Sequence, residues 1–271
     1  MSYSTLLYER DDRVALVTLN RPDRMNALSL ELCAEIVDAV NEADKDDGIR
    51  VIVITGAGGK AFSAGYDIRE DDEGMKQSLE EWWVRLNHDL QFTTSVWNCS
   101  KPVIAMIDGY CLAGGLEFAQ MCDVRYCSDD SRFAVIETRF SAGVATMIMP
   151  FIIGPRCREL IYTGDMIDAQ EALRLGLVNR VFAKASVREE TMKIAKRMSM
   201  VALACLQWNK RAVHNAYEAM GLRSALNYGV AASTMLDSTK TPEFLEFDRI
   251  RRTQGFREAL KWRSAQFAPY E

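Results

Sequence analysis

The chain has 271 residues, 48% of them hydrophobic, and a formal net charge of -5 at neutral pH. This length and apolar content allow one large domain, or a domain with a smaller appendage, around a sizeable core. The acidic balance argues against nucleic-acid binding, which needs a basic face. Apolar runs such as residues 144–153 are too short to span a bilayer, so no membrane partner is expected.

The N-terminal dozen residues lack both the basic-then-apolar pattern of a secretory signal and the Arg-rich pattern of a transit peptide, which predicts a cytoplasmic protein. The seven cysteines lie in apolar contexts without a Cys-x-x-Cys pair, so reduced and mostly buried thiols are expected. His88 and His214 are too few and too far apart for a metal site or a triad, so no metal is expected.

The first half of the chain alternates apolar runs with amphipathic segments. Strands are predicted at residues 13–19, 51–55, 103–107 and 124–127, and helices at 29–41, 79–97 and 114–121. Ser29 is the expected cap of the first helix. Strands that alternate with helices predict a mostly parallel sheet, and therefore the α/β class.

The second half changes to nearly continuous helical pattern. Helices are predicted at residues 155–163, 168–175, 187–199, 203–219, 222–236 and 241–262, with a break near Gly255. Thr241 and Pro242 form a typical helix start. We expect residues 1–200 to form the core with the functional site, and residues 201–271 to form a helical region that packs on the body or on a neighbouring subunit.

Two glycine-punctuated segments carry the most information about function. They are Ala61-Phe-Ser-Ala-Gly-Tyr-Asp-Ile68 and Gly109-Tyr-Cys-Leu-Ala-Gly-Gly-Leu-Glu117, each after a predicted buried strand. We expect each segment to leave a strand and open into a helix, where backbone N–H groups have no intrahelical partner. If the N–H groups of Tyr66 and Gly114 converge, they can hold the oxygen of a thioester carbonyl as it becomes an enolate.

The chain resembles the crotonase, or enoyl-CoA hydratase/isomerase, superfamily over essentially its whole length. The matching stretches are Asn20-Arg-Pro-Asp-Arg-Met-Asn-Ala-Leu28, the two glycine segments, Phe133-Ala-Val-Ile-Glu137 and residues 162–179. The resemblance implies a spiral of ββα turns followed by a C-terminal helical trimerisation region, in a homotrimer or a dimer of trimers. It implies an acyl-CoA thioester substrate and no separate cofactor, because coenzyme A is part of the substrate.

Two glutamates are the candidate catalytic groups. Glu117 lies three residues after Gly114, about one helical turn, and its apolar neighbours predict that it is buried. An acid in the first turn of a helix is also favourable simply because of the helix dipole. By resemblance, Glu117 and Glu137 match the pair with which enoyl-CoA hydratases activate water and protonate the α-carbon. Glu137 has an alternative interpretation, since it follows an apolar run and can mark the exit of that run to solvent.

Residues for the coenzyme A half of the substrate come from the resemblance alone. Arg24 matches a position near the phosphates, and Ala27 and Ala64 match backbone positions along pantetheine and adenine. The predicted substrate-binding set is completed by Gly65, Asp67 and Ile68. Near the C-terminus, Lys261, Arg263 and Phe267 are weaker candidates for reaching a phosphate or the adenine of a neighbouring site.

The predicted function is therefore enoyl-CoA hydratase activity, the addition of water across the 2,3 double bond of an acyl-CoA. Residues 138–150 depart from the glycine-rich pattern of the family, which leaves the acyl group open. One alternative is an isomerase or a hydratase/lyase that acts on a bulky acyl-CoA. The other is a binding protein without catalytic activity on the same fold. The polar segment 69–81 is either a solvated loop or a mobile flap.

Overall fold

The computed structural model of the protein describes residues 3–67 and 78–271. The strands in these ranges are β1 Leu6–Asp11, β2 Val14–Leu19, β3 Val51–Gly56, β4 Ala61–Ser63, β5 Val103–Ile107, β6 Tyr110–Leu112, β7 Val124–Ser128, β8 Arg132–Ala134, β9 Ile167–Asp168 and β10 Arg180–Phe182. They form a six-stranded sheet in the order β1-β2-β3-β5-β7-β10 and a four-stranded sheet in the order β4-β6-β8-β9. Apart from β1 and β9, which pair antiparallel to their neighbours, the strands run parallel.

The chain moves from the large sheet to the small one three times. β3 is followed by β4, β5 by β6 and β7 by β8, and a helix starts two residues after β6. Gly109 makes the corner between β5 and β6 with a φ of +78°, and a Cβ there would lie 2.1 Å from the Lys60 carbonyl oxygen. The predicted ββα spiral is confirmed, and one detail of the prediction is corrected: each glycine segment passes through a second short strand.

The helices in the described residues agree closely with the sequence periodicity. They are α1 Leu30–Lys45, α2 Leu79–Asn98, α3 Gly114–Met121, α4 Met149–Ile153, α5 Cys157–Thr163, α6 Ala169–Leu175, α7 Val187–Ser199, α8 Leu203–Ala219, α9 Leu222–Thr239, α10 Pro242–Gln254 and α11 Phe256–Phe267. Ser29 caps α1 by accepting a hydrogen bond from the Leu32 N–H, and Thr241 caps α10 in the same way. No helix of the described ranges is long and apolar enough to cross a membrane.

Helix α3 lies in the centre of the main core. All eight of its residues are buried, and the Phe118 ring stacks on Phe92 at 4.7 Å between centroids and lies 6.5 Å from the ring of Phe62. Phe92 comes from α2 and Phe62 from β4, so α3 is packed between a helix and a strand. Any polar side chain on this helix is therefore taken out of water, which is costly unless it has a partner or a function.

The C-terminal helices contact the body at separate places. Asp123, which lies between α3 and β7, joins α8 to the body. Its carboxylate accepts a hydrogen bond from Lys210 Nζ at 2.8 Å and lies 3.0 Å from His214 Nε2. α9 packs on α2, with Val230 in one apolar cluster with Leu86 and Ala145. α9 thus lines the body, and the predicted boundary at residue 200, between α7 and α8, stays a prediction.

Helices α10 and α11 form a small hairpin with its own core. Phe247, Ile250 and Ala259 are buried in it. Phe140, from the body, completes this core by packing edge-on against Phe247 at 5.4 Å between ring centroids. The hairpin is therefore attached next to residue 137, one of the predicted catalytic positions.

Candidate active site

The Tyr66 backbone N–H is held in place by pairing of its two neighbours. The Gly65 carbonyl accepts from the Leu28 N–H at 2.8 Å, and the Asp67 N–H donates to the Leu28 carbonyl at 3.1 Å. Successive N–H groups of an extended segment point to opposite sides, so the Tyr66 N–H faces away from this ladder. The prediction that segment 61–68 opens into a helix is not seen in its described part, residues 61–67, where Tyr66 lies in an extended bridge.

Gly114 is the first residue of α3, so its N–H has no partner within the helix. Ala113 before it has φ 50° and ψ -133°, a strained conformation that folded proteins keep mainly at functional sites. A Cβ placed on Gly65 would lie 3.3 Å from the Gly114 nitrogen, and one on Gly115 would lie 2.7 Å from the Cβ of Ser63. The two glycine segments therefore touch, and the convergence of their N–H donors stays a prediction.

Glu117 lies one turn along α3 and is 4% exposed. Its Oε2 accepts a hydrogen bond from the Thr146 N–H at 3.2 Å. Burial raises the pKa of Glu117 to about 6, and the hydrogen bonds from Thr146 and Ala145 limit that rise. With a pKa slightly below neutral pH, this carboxyl group can lose its proton and can also take one up again, as a general base requires.

Glu137 lies on a 3-10 turn, Ile136–Phe140, and its Oε2 is enclosed without a hydrogen-bond partner in the described part of the chain. Burial, and after it the negative charge of Glu117, raise the pKa of Glu137 well above its ordinary value. An acid that only marks the exit of an apolar run to solvent would be hydrated, and water would screen its pKa from the charge of Glu117. The two glutamates are therefore close enough to interact, and both carboxyl groups have a raised pKa.

Asp237 is a third acid of this region, and sequence reasoning missed it. It lies on α9 and accepts from the Gly143 N–H at 3.0 Å. Burial raises the pKa of Asp237 to about 6, and its charge raises the pKa values of Glu117 and Glu137. The only signal in the sequence was its position seven residues after Val230, on the same face of the helix.

The predicted coenzyme A positions come together where residues 20–28 meet residues 64–67. Ala64 donates its N–H to Met25 at 3.0 Å, and Ala27 accepts from Arg21 Nη1 at 2.6 Å. Arg24 is exposed on the turn beside them, and Gly65 lies in the paired segment, whereas Ile68 lies outside the described residues. This strip of backbone adjoins the first glycine segment, and its role in binding coenzyme A stays a prediction.

The Asp67 carboxylate already forms an ion pair with Arg21 Nη1 at 2.9 Å, so its contribution is to hold the strip together. Asn26, which the sequence analysis did not single out, does the same. It is fully buried with a φ of +53°, and its Nδ2 donates to the carbonyls of Ala57 and Ala61 at 3.0 and 2.7 Å.

The weaker candidates near the C-terminus are engaged elsewhere. Arg263 is 6% exposed and packs against the aromatic rings of the C-terminal hairpin. Phe267 lies under the Arg139 guanidinium at 4.4 Å, and Lys261 pairs with Glu258 at 2.7 Å. Within this chain, these contacts leave none of the three directed at the site.

Comparisons with known proteins agree with this geometry. The profile of the family described as enoyl-CoA hydratase/isomerase matches residues 9–262. A crotonyl-CoA hydratase of Syntrophomonas wolfei is 32% identical over 79% of this chain and 83% of its own length. An (E)-benzylidenesuccinyl-CoA hydratase of Thauera aromatica is also 32% identical, over 93% of this chain and 98% of its own.

A crystal structure of an enoyl-CoA hydratase/isomerase from Xanthobacter autotrophicus Py2 superposes with a TM-score of 0.94 at 34% identity, covering 98% of this chain and 99% of that one. The match includes the C-terminal helices as well as the two sheets, since it spans nearly the whole length of both chains. The fold, the family profile and the relatives lead to one conclusion: the chain belongs to the enoyl-CoA hydratase/isomerase family.

Proposed function

We propose that this protein is an enoyl-CoA hydratase that adds water across the 2,3 double bond of an acyl-CoA thioester. The observation that carries the proposal is the pair of glutamates, in which the charge of Glu117 raises the pKa of Glu137, next to the contact between the two glycine segments. The family match and the relatives named as hydratases confirm the activity class that the sequence predicts.

In the proposed mechanism the thioester oxygen accepts hydrogen bonds from the N–H groups of Tyr66 and Gly114. Glu117, ionised, takes a proton from water as the water oxygen bonds to C3, and the π electrons of the double bond move into the enolate. Glu137, protonated, delivers its proton to C2 as the enolate returns to a thioester. Acid and base groups with pKa values on either side of the operating pH are the physical requirement for this sequence.

The residues support hydration over the alternatives. A binding protein has no need of two enclosed acids, which cost stability unless they have a function. An isomerase moves one proton between carbons and works with a single acid, whereas both glutamates are present here. The acyl group does not follow from identity, because relatives at the same 32% identity are named for crotonyl-CoA and for an aromatic dicarboxylic acyl-CoA.

The direct test is the loss of enoyl-thioester absorbance when the protein is mixed with crotonyl-CoA and with cinnamoyl-CoA. We expect the wild type to hydrate at least one of them and Glu117→Gln to be strongly impaired. Glu171→Gln, on the exposed face of α6, is the matched control and should behave as wild type. A wild type that binds these thioesters without hydrating or isomerising either would contradict the proposal.

A homotrimer or a dimer of trimers is part of the proposal. It is supported by the family resemblance and by large apolar side chains exposed on α8 and α9, including Trp208, Val213 and Met235. Light scattering is expected to give a multiple of 30.6 kDa, and a stable monomer of that mass would contradict it. The cytoplasmic location, the absence of a metal and the absence of a separate cofactor stay predictions.

A further inference from the structure

The Tyr66 side chain has no task in the proposed mechanism, because the oxyanion site uses only its backbone N–H. Its ring nevertheless lies at the centre of the site. A Cβ placed on Gly114 would lie 2.4 Å from Cε2 and 2.6 Å from Cδ2 of this ring. The phenol therefore covers the residue that supplies the second oxyanion donor.

The Tyr66 hydroxyl is enclosed and has no hydrogen-bond partner in the described part of the chain. Buried hydroxyl groups in folded proteins are almost always hydrogen-bonded, and the exceptions are commonly completed by a ligand or by water. A phenylalanine would pack the same ring against Gly114 without leaving a polar atom unsatisfied. The hydroxyl therefore indicates a partner that arrives with the substrate.

The charges around the Tyr66 hydroxyl decide whether a charged or a neutral group can lie beside it. Burial, and then the nearby carboxylates of Asp89 and Glu117, raise the pKa of Tyr66, so the phenol keeps its proton and donates. Arg85 is the nearby positive charge, and it also lies close enough to Asp237 to lower the pKa of that acid. A carboxylate on the acyl chain would meet more negative than positive charge here, which disfavours it.

We propose that Tyr66 selects acyl chains that carry a neutral hydrogen-bond acceptor, a hydroxyl or a ketone, beyond the 2,3 double bond. The inference rests on the proposed hydratase function and names its substrate class. The Tyr66 O–H donates to the oxygen of that substituent, while the Tyr66 N–H holds the thioester oxygen of the same molecule. Tyr66 thus binds both the reacting carbonyl group and the substituent on the acyl chain.

The test compares wild type with Tyr66→Phe, a change that keeps the backbone donor and the ring. The substrates are crotonyl-CoA, 2-hexenoyl-CoA, the 2-hexenoyl-CoA thioesters hydroxylated at C4, C5 or C6, and glutaconyl-CoA as the charged analogue. For each, kcat/KM is measured from the loss of enoyl-thioester absorbance. Tyr162→Phe, whose side chain is 76% exposed on α5, is the matched control.

We expect wild type to prefer at least one hydroxylated hexenoyl-CoA to the unsubstituted one by about tenfold or more, because a site built to bind a substrate hydroxyl discriminates against the analogue that lacks it. Tyr66→Phe is expected to remove that preference: the ratio of kcat/KM for the preferred hydroxylated substrate to kcat/KM for 2-hexenoyl-CoA should fall to about one. Tyr162→Phe should keep the preference.

Three results would overturn the inference. The first is an equal loss on all substrates in Tyr66→Phe, which would mean that the hydroxyl orients the attacking water. The second is an unchanged preference, and the third is a selective preference of wild type for glutaconyl-CoA. Failure of the hydratase function is seen separately, as the absence of hydration by wild type on crotonyl-CoA and on every other substrate of the series.

Discussion

The two glutamates that we propose as catalytic groups are supported by very different parts of the molecule. Glu117 lies on α3, a helix with every residue buried, and its carboxylate accepts a hydrogen bond from the Thr146 N–H. Glu137 lies on a 3-10 turn in which no residue is fully buried, and the contacts that hold this turn come from outside it. The main core therefore fixes the position of Glu117, whereas the position of Glu137 depends on the residues that pack against its turn.

The supports of the Glu137 turn can be named. Arg139 donates Nε to the Thr163 carbonyl at 2.9 Å, pairs with Asp165, and reaches Glu271 at 2.6 Å. The next residue, Phe140, enters the core of the C-terminal hairpin. The comparison teaches that the acid and the base respond to different mutations, and the predictions below separate them.

The largest effect is expected for Glu117→Gln. Removing the base that takes a proton from water should lower hydration about 10³-fold, within the range for acid–base groups. The C2 proton of a saturated probe, butyryl-CoA, should still exchange with deuterium in D2O, because Glu137 handles that proton. Loss of exchange together with hydration would show that the two roles are not divided in this way.

Glu137→Gln should give the complementary result. We expect hydration to fall about 10²-fold and the C2 exchange of butyryl-CoA to disappear, because the group that exchanges protons with that carbon is gone. Binding of butyryl-CoA, followed by calorimetry, should remain close to wild type. If exchange survives in this variant and is lost in Glu117→Gln, the two assignments must be reversed.

The sequence predicted one of these regions much better than the other. The apolar periodicity and the glycine pair give the bounds of α3, Gly114 to Met121, and the burial of Glu117, because local pattern alone determines them. The surroundings of Glu137 depend on contacts between residues far apart in the chain, such as Phe140 with Phe247 and Gly143 with Asp237, the latter 94 residues apart. A single sequence carries no record of such pairs, which is why Asp237 was missed.

Stability should also depend on Glu117, in the opposite direction to activity. Its folded pKa of about 6 lies above the ordinary glutamate value of 4.5, so the stabilising contribution is fully present below about pH 4.5 and is lost as pH rises through about 6. Above that window, Glu117→Gln should raise the free energy of unfolding by about 2 kcal/mol, about 1.4 kcal/mol for each pKa unit.

Urea unfolding of wild type and Glu117→Gln at pH 8 and pH 4.5 measures this difference. The advantage of the variant is expected at pH 8 and should shrink at pH 4.5, where both side chains are neutral. Glu246→Gln, in an exposed pair with Arg249, is the control and should change little. Equal stability of wild type and Glu117→Gln at pH 8 would mean that burial of this carboxylate costs the fold nothing.

The smallest and most specific effect is expected for Arg139→Ala, which removes the link between the Glu137 turn and the C-terminal helices. We expect kcat to fall about fivefold with KM nearly unchanged, because the acid loses its position while the coenzyme A strip is untouched. Since burial is the main cause of the raised pKa of Glu137, water that enters a loosened turn should shift the alkaline limb of the pH–rate profile to lower pH. Arg174→Ala, which breaks an exposed pair with Glu171 on α6, should leave that limb in place. An Arg139→Ala variant with the wild-type limb and the wild-type kcat would show that the 3-10 turn positions its acid without help from Arg139.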